Sequence, residues 1–194
     1  MEIRPATPAD ARDLAFLVDQ AGEGLPRYLW ALSYGGKLQG DALLAYGARR
    51  ALREEGNFSY RNMRVAVVDG AIAGILLSYR LPNPYDPAEG ARAPAVVRPL
   101  IELEAEVPGS WYINAIATYE RFRGQGVASG LLVEVHRLAG MAGADKLSLI
   151  VESENRTAGL LYRKLGFVER ARRPLVPYPG GRDRGEWVLM VKPL

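Results

Sequence analysis

Thr118-Tyr119-Glu120-Arg121-Phe122-Arg123-Gly124-Gln125-Gly126-Val127-Ala128-Ser129-Gly130 is the stretch on which the reading of this 194-residue chain turns. Before it, Ser110 to Thr118 reads as a buried strand. After it, Val127, Leu131, Val135 and Leu138 recur on one face of a helix from about Val127 to Met141. A glycine-rich turn thus joins a strand to a helix. First-turn helix amides have no intrahelical acceptors, and the helix dipole adds partial positive charge, so the turn favours an anionic group. Glycine at 124 and 126 removes side chains that would hold a diphosphate away, and Arg123 can add a full charge. Two common phosphate loops are absent. Counting from Gly124, Ser129 occupies the last position of G-x-G-x-x-G, and no G-x-x-x-x-G-K-[ST] occurs.

Outward from the turn, the pattern alternates strands and helices. Glu2 to Ala6 reads as a strand, and Thr7-Pro8-Ala9-Asp10 as a capped helix start. Leu14, Leu17, Val18 and Ala21 then share one helical face until Gly22 and Gly24 end it. Helices over Leu25 to Leu32 and Asp41 to Arg53 are separated by Gly35-Gly36. Met63 to Val68 and Ala71 to Tyr79 are β-rich runs joined by Asp69-Gly70, which tolerates the positive φ of a tight hairpin. Five prolines from Leu81 to Pro99 argue against regular structure over most of that segment, with a short helix over Leu100 to Glu106. Beyond the turn come a strand at Lys146 to Val151, a helix at Asn155 to Leu165 stopped by Gly166, and terminal strands at Phe167 to Arg173 and Glu186 to Lys192. The expectation is α/β: one domain over 1–194, with a single mixed, mostly antiparallel central sheet flanked by helices.

Composition narrows the chemistry. With no cysteine, there is no disulfide framework, no thiolate metal site and no acyl group parked on an enzyme sulfur. His136 is the single histidine, so no imidazole pair can bind zinc, and no metal is expected. No serine stands in a G-x-S-x-G elbow. A net charge of +3 suits an anionic ligand without demanding nucleic acid, and no base-reading motif accompanies it, so no nucleic-acid partner is expected. No apolar run is long enough to cross a membrane, and Met1 to Pro5 lacks the charged and apolar regions of a signal peptide. Cytoplasmic residence without a membrane partner is the expectation.

Arg123-Gly124-Gln125-Gly126-Val127-Ala128 resembles the [QR]-x-x-G-x-[GA] signature of the GNAT superfamily of N-acetyltransferases. Asn155, Ala158, Tyr162 and Leu165-Gly166-Phe167 resemble that family's distal N-x-x-A-x-x-[LF]-Y-x-x-x-G-F segment. The order of elements is also similar. The resemblance implies acetyl-CoA as co-substrate and an amine-bearing acceptor, small molecule or protein. It further implies pantetheine contacts from main chain at Ile116, Ala117 and Thr118, and diphosphate contacts at Arg123, Gly124, Gln125, Gly126, Val127, Ala128 and Ser129. Asn155 would contact the coenzyme, and Tyr162 would aim its hydroxyl at the thioester sulfur. Each of the last two has a plainer reading, Asn155 as a helix N-cap and Tyr162 as a core aromatic. Dimers are common among resembling proteins, which leaves a homodimer open here.

Direct attack by a neutral amine needs placement, a proton acceptor, oxyanion support and a donor for the departing thiolate, but no enzyme nucleophile. A ternary complex with Tyr162 as the donor is the expected mechanism. Many members of the family place a glutamate on the central strands, where this chain has Asn114 and Ile150. Glu102 and Glu104 precede the long strand and read more simply as solvated, so no general base is assigned. The missing glutamate keeps a non-catalytic acyl-CoA sensor as the alternative. Tyr28, Trp30, Tyr34, Tyr60 and Tyr85 are equally suited to packing and to acceptor contact.

Overall fold

A computed structural model describes residues 1–86 and 88–194, without the side chain of Glu89. The strands are β1 (Glu2–Pro5), β2 (Met63–Val68), β3 (Ala71–Arg80), β4 (Trp111–Thr118), β5 (Lys146–Glu152), β6 (Val168–Pro174) and β7 (Glu186–Pro193). They form one sheet in the order β1-β2-β3-β4-β5-β7-β6. The β4/β5 pair is parallel, and the β1/β2, β2/β3, β5/β7 and β6/β7 pairs are antiparallel. The helices are α1 (Ala11–Ala21), α2 (Leu25–Ser33), α3 (Gly40–Ala51), α4 (Ala88–Arg92), α5 (Arg98–Glu104), α6 (Val127–Met141) and α7 (Arg156–Lys164). This is the mixed, mostly antiparallel α/β architecture the sequence implied. By contact density the chain divides into two units, residues 1–78 with 114–135 and residues 79–113 with 136–194.

In the first unit, the β2/β3 hairpin turns on Asp69 at φ 49° and Gly70 at φ 76°, the two successive positive values a type I′ turn needs. The close approach of β3 to β4 depends on Gly74. A Cβ there would lie 2.7 Å from the Ala117 carbonyl oxygen and 2.8 Å from a Val127 methyl. Leu14 and Leu17 on α1 are fully buried, each contributing roughly 1.5–3 kcal/mol of transfer free energy. Ala15, Trp30, Leu43 and Leu44 form a separate core among α1, α2 and α3, and a Cβ at Gly47 would collide with the Trp30 ring. Thus Trp30 is a packing residue, whereas Tyr34 stays exposed. Thr7 and Asp10 form the predicted capping box, with Asp10 accepting from the Thr7 N–H at 2.7 Å and from the Thr7 hydroxyl at 3.0 Å.

In the second unit, β7 lies between β5 and β6, with Leu189 and Met190 fully buried. Ser110 and Ser148 satisfy each other at 2.7 Å inside the core. The proline-rich segment is more ordered than its composition suggests. It holds α4, a 3₁₀ turn over Ala95–Val97 and the start of α5, while Pro87 lies outside the described residues. Pro99 sits in the first turn of α5, where no intrahelical N–H is required, so it opens the helix instead of breaking it.

Candidate active site

In the first unit, Tyr119 follows β4 directly. Its N–H donates to the Ala73 carbonyl at 2.8 Å, continuing the ladder one residue beyond the strand. A 3₁₀ turn over Glu120–Phe122 then leads to Gly124 and Gly126, at φ 75° and 78°. A Cβ at either glycine would meet nothing within 4 Å, so space lies in front of both. Thr118, Phe122, Arg123, Gly124, Gly126, Val127, Ala128 and Ser129 line one cleft of about 380 Å³. The Thr118 Oγ1 is buried with no hydrogen-bond partner among the described residues. Arg123 is exposed beside it.

Of the candidates on this stretch, Gln125 stands outside the cleft lining, and its side-chain amide donates to the Arg121 carbonyl at 3.1 Å. Ile116 and Ala117 are half-buried on β4 and also outside that lining. Sequence reasoning passed over Tyr119 and Asp13. The Tyr119 hydroxyl donates to the Asp13 carboxylate of α1 at 2.5 Å, its ring stacks on Phe16 at 5.5 Å, and Arg121 lies over its face. Burial, reinforced by the Asp13 carboxylate, pushes the Tyr119 phenol above its ordinary range. No local pattern signals a contact between residues so far apart in the chain.

In the second unit, Asn155 caps α7, with its side-chain oxygen accepting from the Ala158 N–H at 3.2 Å, and it also lines a pocket of about 300 Å³. The N-cap reading of that residue is the one the structure shows. Tyr162 is 8% exposed and packs edge-on against Phe167 at 5.8 Å. Burial pushes its phenol up to about 12.

Three carboxylates of this unit have distinct surroundings. Glu102 is exposed and pairs with Arg173 at 3.0 Å. Glu104, expected to be solvated, is half-buried and accepts from the Tyr85 hydroxyl at 2.8 Å. The third, Glu152, escaped sequence reasoning. It ends β5 with its side chain only 5% exposed and pairs with Arg182 at 2.9 Å. The available signal was a glutamate closing the apolar run Leu147-Ser148-Leu149-Ile150-Val151.

A family model described as the acetyltransferase (GNAT) family matches residues 28–167. A curated relative, the uncharacterized N-acetyltransferase YdgE of Bacillus subtilis (strain 168), is 39% identical over 56 residues, which are 29% of this chain and 36% of that protein's length. The chain therefore spans about a third of that relative. Among solved structures, an N-acetyltransferase from Staphylococcus aureus Mu50 has a TM-score of 0.66 at 22% identity, covering 99% of this chain and 100% of its own. A ribosomal-protein-alanine N-acetyltransferase from Brucella melitensis has a TM-score of 0.64 at 24% identity, with both chains fully covered. At such identities the structural likeness establishes the fold, and the family model covers most of the sequence. The chain belongs to the acetyltransferase (GNAT) family.

Proposed function

We propose that the protein transfers an acetyl group from acetyl-CoA to a primary amine, as one catalytic domain and by direct attack in a ternary complex. Family membership supports acyl transfer to an amine. The observation that carries the finer reading is the cleft at Gly124 and Gly126, open in front of two positive-φ glycines at the start of α6. Such a cleft fits a doubly charged linker approached by main-chain amides.

Acetyl-CoA would supply an activated acyl thioester. Amides from Gly124 to Ser129 would hold its diphosphate, with Arg123 adding charge at the rim. Main-chain groups of Ile116, Ala117 and Thr118 would align the pantetheine arm, and Asn155 would contact the coenzyme from the start of α7. Tyr162 keeps its proton throughout the neutral range, because burial pushes its phenol up to about 12. A neutral phenol is the form that can donate from Oη to a departing thiolate. With no cysteine in the chain, the acyl group has no resting place on a cysteine sulfur, which suits direct attack. No helix among the described residues is long and apolar enough to cross a membrane, which agrees with the cytoplasmic location we propose.

Calorimetric titration tests the reading. Acetyl-CoA and CoA should bind and ATP should not, and binding of ATP without CoA would overturn it. A panel of amines assayed for release of free thiol then identifies the acceptor.

A further inference from the structure

Arg156, Gly159, Leu160 and Arg163 stand at i, i+3, i+4 and i+7, one flank of α7, while Ala158 and Tyr162 stand on the adjoining flank. The first flank borders the pocket of about 300 Å³, whose floor is Val151, Val188 and Met190. That pocket shares no lining residue with the cleft at Gly124. Glycine is a poor residue inside a helix, because it gives up more backbone freedom than alanine. Gly159 is nevertheless within the nine-residue α7, and it is buried. Its φ is not positive, and a Cβ there would meet one side-chain atom, the Arg163 Nη1, at an ordinary contact distance of 3.5 Å. Neither backbone conformation nor close packing requires a glycine, so the missing side chain leaves room in the pocket. The same distance shows that the Arg163 guanidinium is folded back over Gly159, toward Arg156 on the preceding turn.

The charged lining is Arg156, Arg163 and Arg172 against the single carboxylate of Glu152. Glu152 is already bonded to Arg182 at 2.9 Å. Arg172 is likewise occupied, by Glu169 at 2.6 and 2.8 Å and by Glu186 at 2.8 Å. The side chains of Arg156 and Arg163 have no hydrogen-bond or ion-pair partner among the described residues, and Arg163 feels Glu169 only at longer range. The neighbouring depression of about 700 Å³ has no such surplus, since Glu154, Asp183 and Glu186 accompany Arg182 and Arg184 there. Two unpaired guanidiniums at one hollow favour an oxyanion, whose oxygens match their paired N–H donors. Leu160, 58% exposed, stands at the rim of the same hollow. An inorganic anion would leave it in water, whereas a carboxylate carried on an apolar body would cover it.

We propose that this pocket binds a small organic carboxylate at a site separate from the coenzyme cleft, with the oxyanion between Arg156 and Arg163 and the apolar body against Leu160 and the floor. The site stands apart from amine acylation, because no step of that reaction uses either arginine. Of the residues proposed to hold the coenzyme, Asn155 alone is in its lining.

The test is a titration of the full chain with sodium benzoate, followed through the arginine Nε–H resonances, with sodium chloride at equal ionic strength as the control. The resonances of Arg156 and Arg163 should shift saturably, with a Kd on the order of 1 mM for a small ligand held by two charge-assisted contacts. Sodium phosphate, which has no apolar body, should bind about fivefold more weakly. Arg163→Gln removes one charged donor at an exposed position and should weaken benzoate about tenfold. Gly159→Ala puts a methyl group into the room left by the glycine and should weaken it about threefold. Alanine also favours the helix, so chemical denaturation should show that variant at least as stable as the wild type. Excess CoA should leave the benzoate affinity within about twofold, as for uncoupled sites. Shifts no larger than those in chloride, an affinity unchanged in either variant, phosphate binding as tight as benzoate, or loss of benzoate binding to CoA would each overturn the proposal. None of these readouts requires turnover, so a failed amine assay leaves them intact.

Discussion

The turn after β4 and the end of β5 each present polar groups to a hollow, and they do so by opposite means. At Gly124 to Ser129 the groups we propose are main-chain amides, in a turn shaped by two glycines at positive φ and a helix start. At Glu152 they belong to a side chain whose surroundings come from a loop 30 residues further on. A backbone site is specified by a few adjacent residues. A side-chain site needs strand register and loop placement to be settled first.

Three substitutions would sharpen or break this contrast, and a fourth tests the fold away from it. Tyr162→Phe removes the proposed proton donor and should cut kcat by about 10²-fold or more, leaving acetyl-CoA affinity within about twofold. Unchanged turnover would remove Tyr162 from the chemistry and leave the backbone turn as the better-supported half of the site. Gly126→Val places a β-branched residue at φ 78° and puts atoms into the open space of the cleft. The strain of roughly 1–2 kcal/mol lowers the stability of the fold, while the added atoms crowd the proposed diphosphate position and should cost about tenfold in acetyl-CoA affinity by calorimetry. Full affinity in that variant would show that the amides there are not the coenzyme's grip.

Tyr119→Phe keeps the stacked ring but deletes the hydroxyl bound to Asp13. It should weaken acetyl-CoA binding by about fivefold, roughly 1 kcal/mol of lost positioning or the net worth of one ordinary hydrogen bond, while kcat at saturation stays the same. A fall in kcat with unchanged affinity would count against a positioning role. Asp10→Asn has the smallest effect and lies outside both regions. The Arg4 guanidinium, bonded to both carboxylate oxygens, holds Asp10 below the usual carboxylate range. A depressed carboxylate stabilises the fold above its unfolded-state value near 3.9 and loses that contribution as pH falls through its folded value. The Asn variant should therefore be less stable than the wild type at neutral pH, with the gap in chemical-denaturation stability closing below about pH 4.

Much of the fold was legible because its signals are local. Asp69-Gly70 marked the hairpin, Gly22 and Gly166 marked helix ends, and the stripe of Val127, Leu131 and Val135 gave α6 with its observed boundaries. Local propensity misled at Leu81 to Pro99, where proline count argued against helices that in fact begin at or near prolines. In the candidate site, the turn could be read from spacing, while Tyr119 and Glu152 could not. The Tyr119 partner lies 106 residues away, and the Glu152 partner sits on a loop whose path no periodicity encodes.

The Tyr119 contact also bears on the order in which this molecule is assembled. Asp13 leaves the ribosome early and must wait until more than a hundred further residues have followed before its tyrosine exists. Closing so long a loop is entropically costly, so the turn can acquire its working shape only after the α1 to β3 portion has gathered. A nascent chain halted before Tyr119 could pack α1 against α2 and α3, yet the Asp13 carboxylate would still lack its phenol.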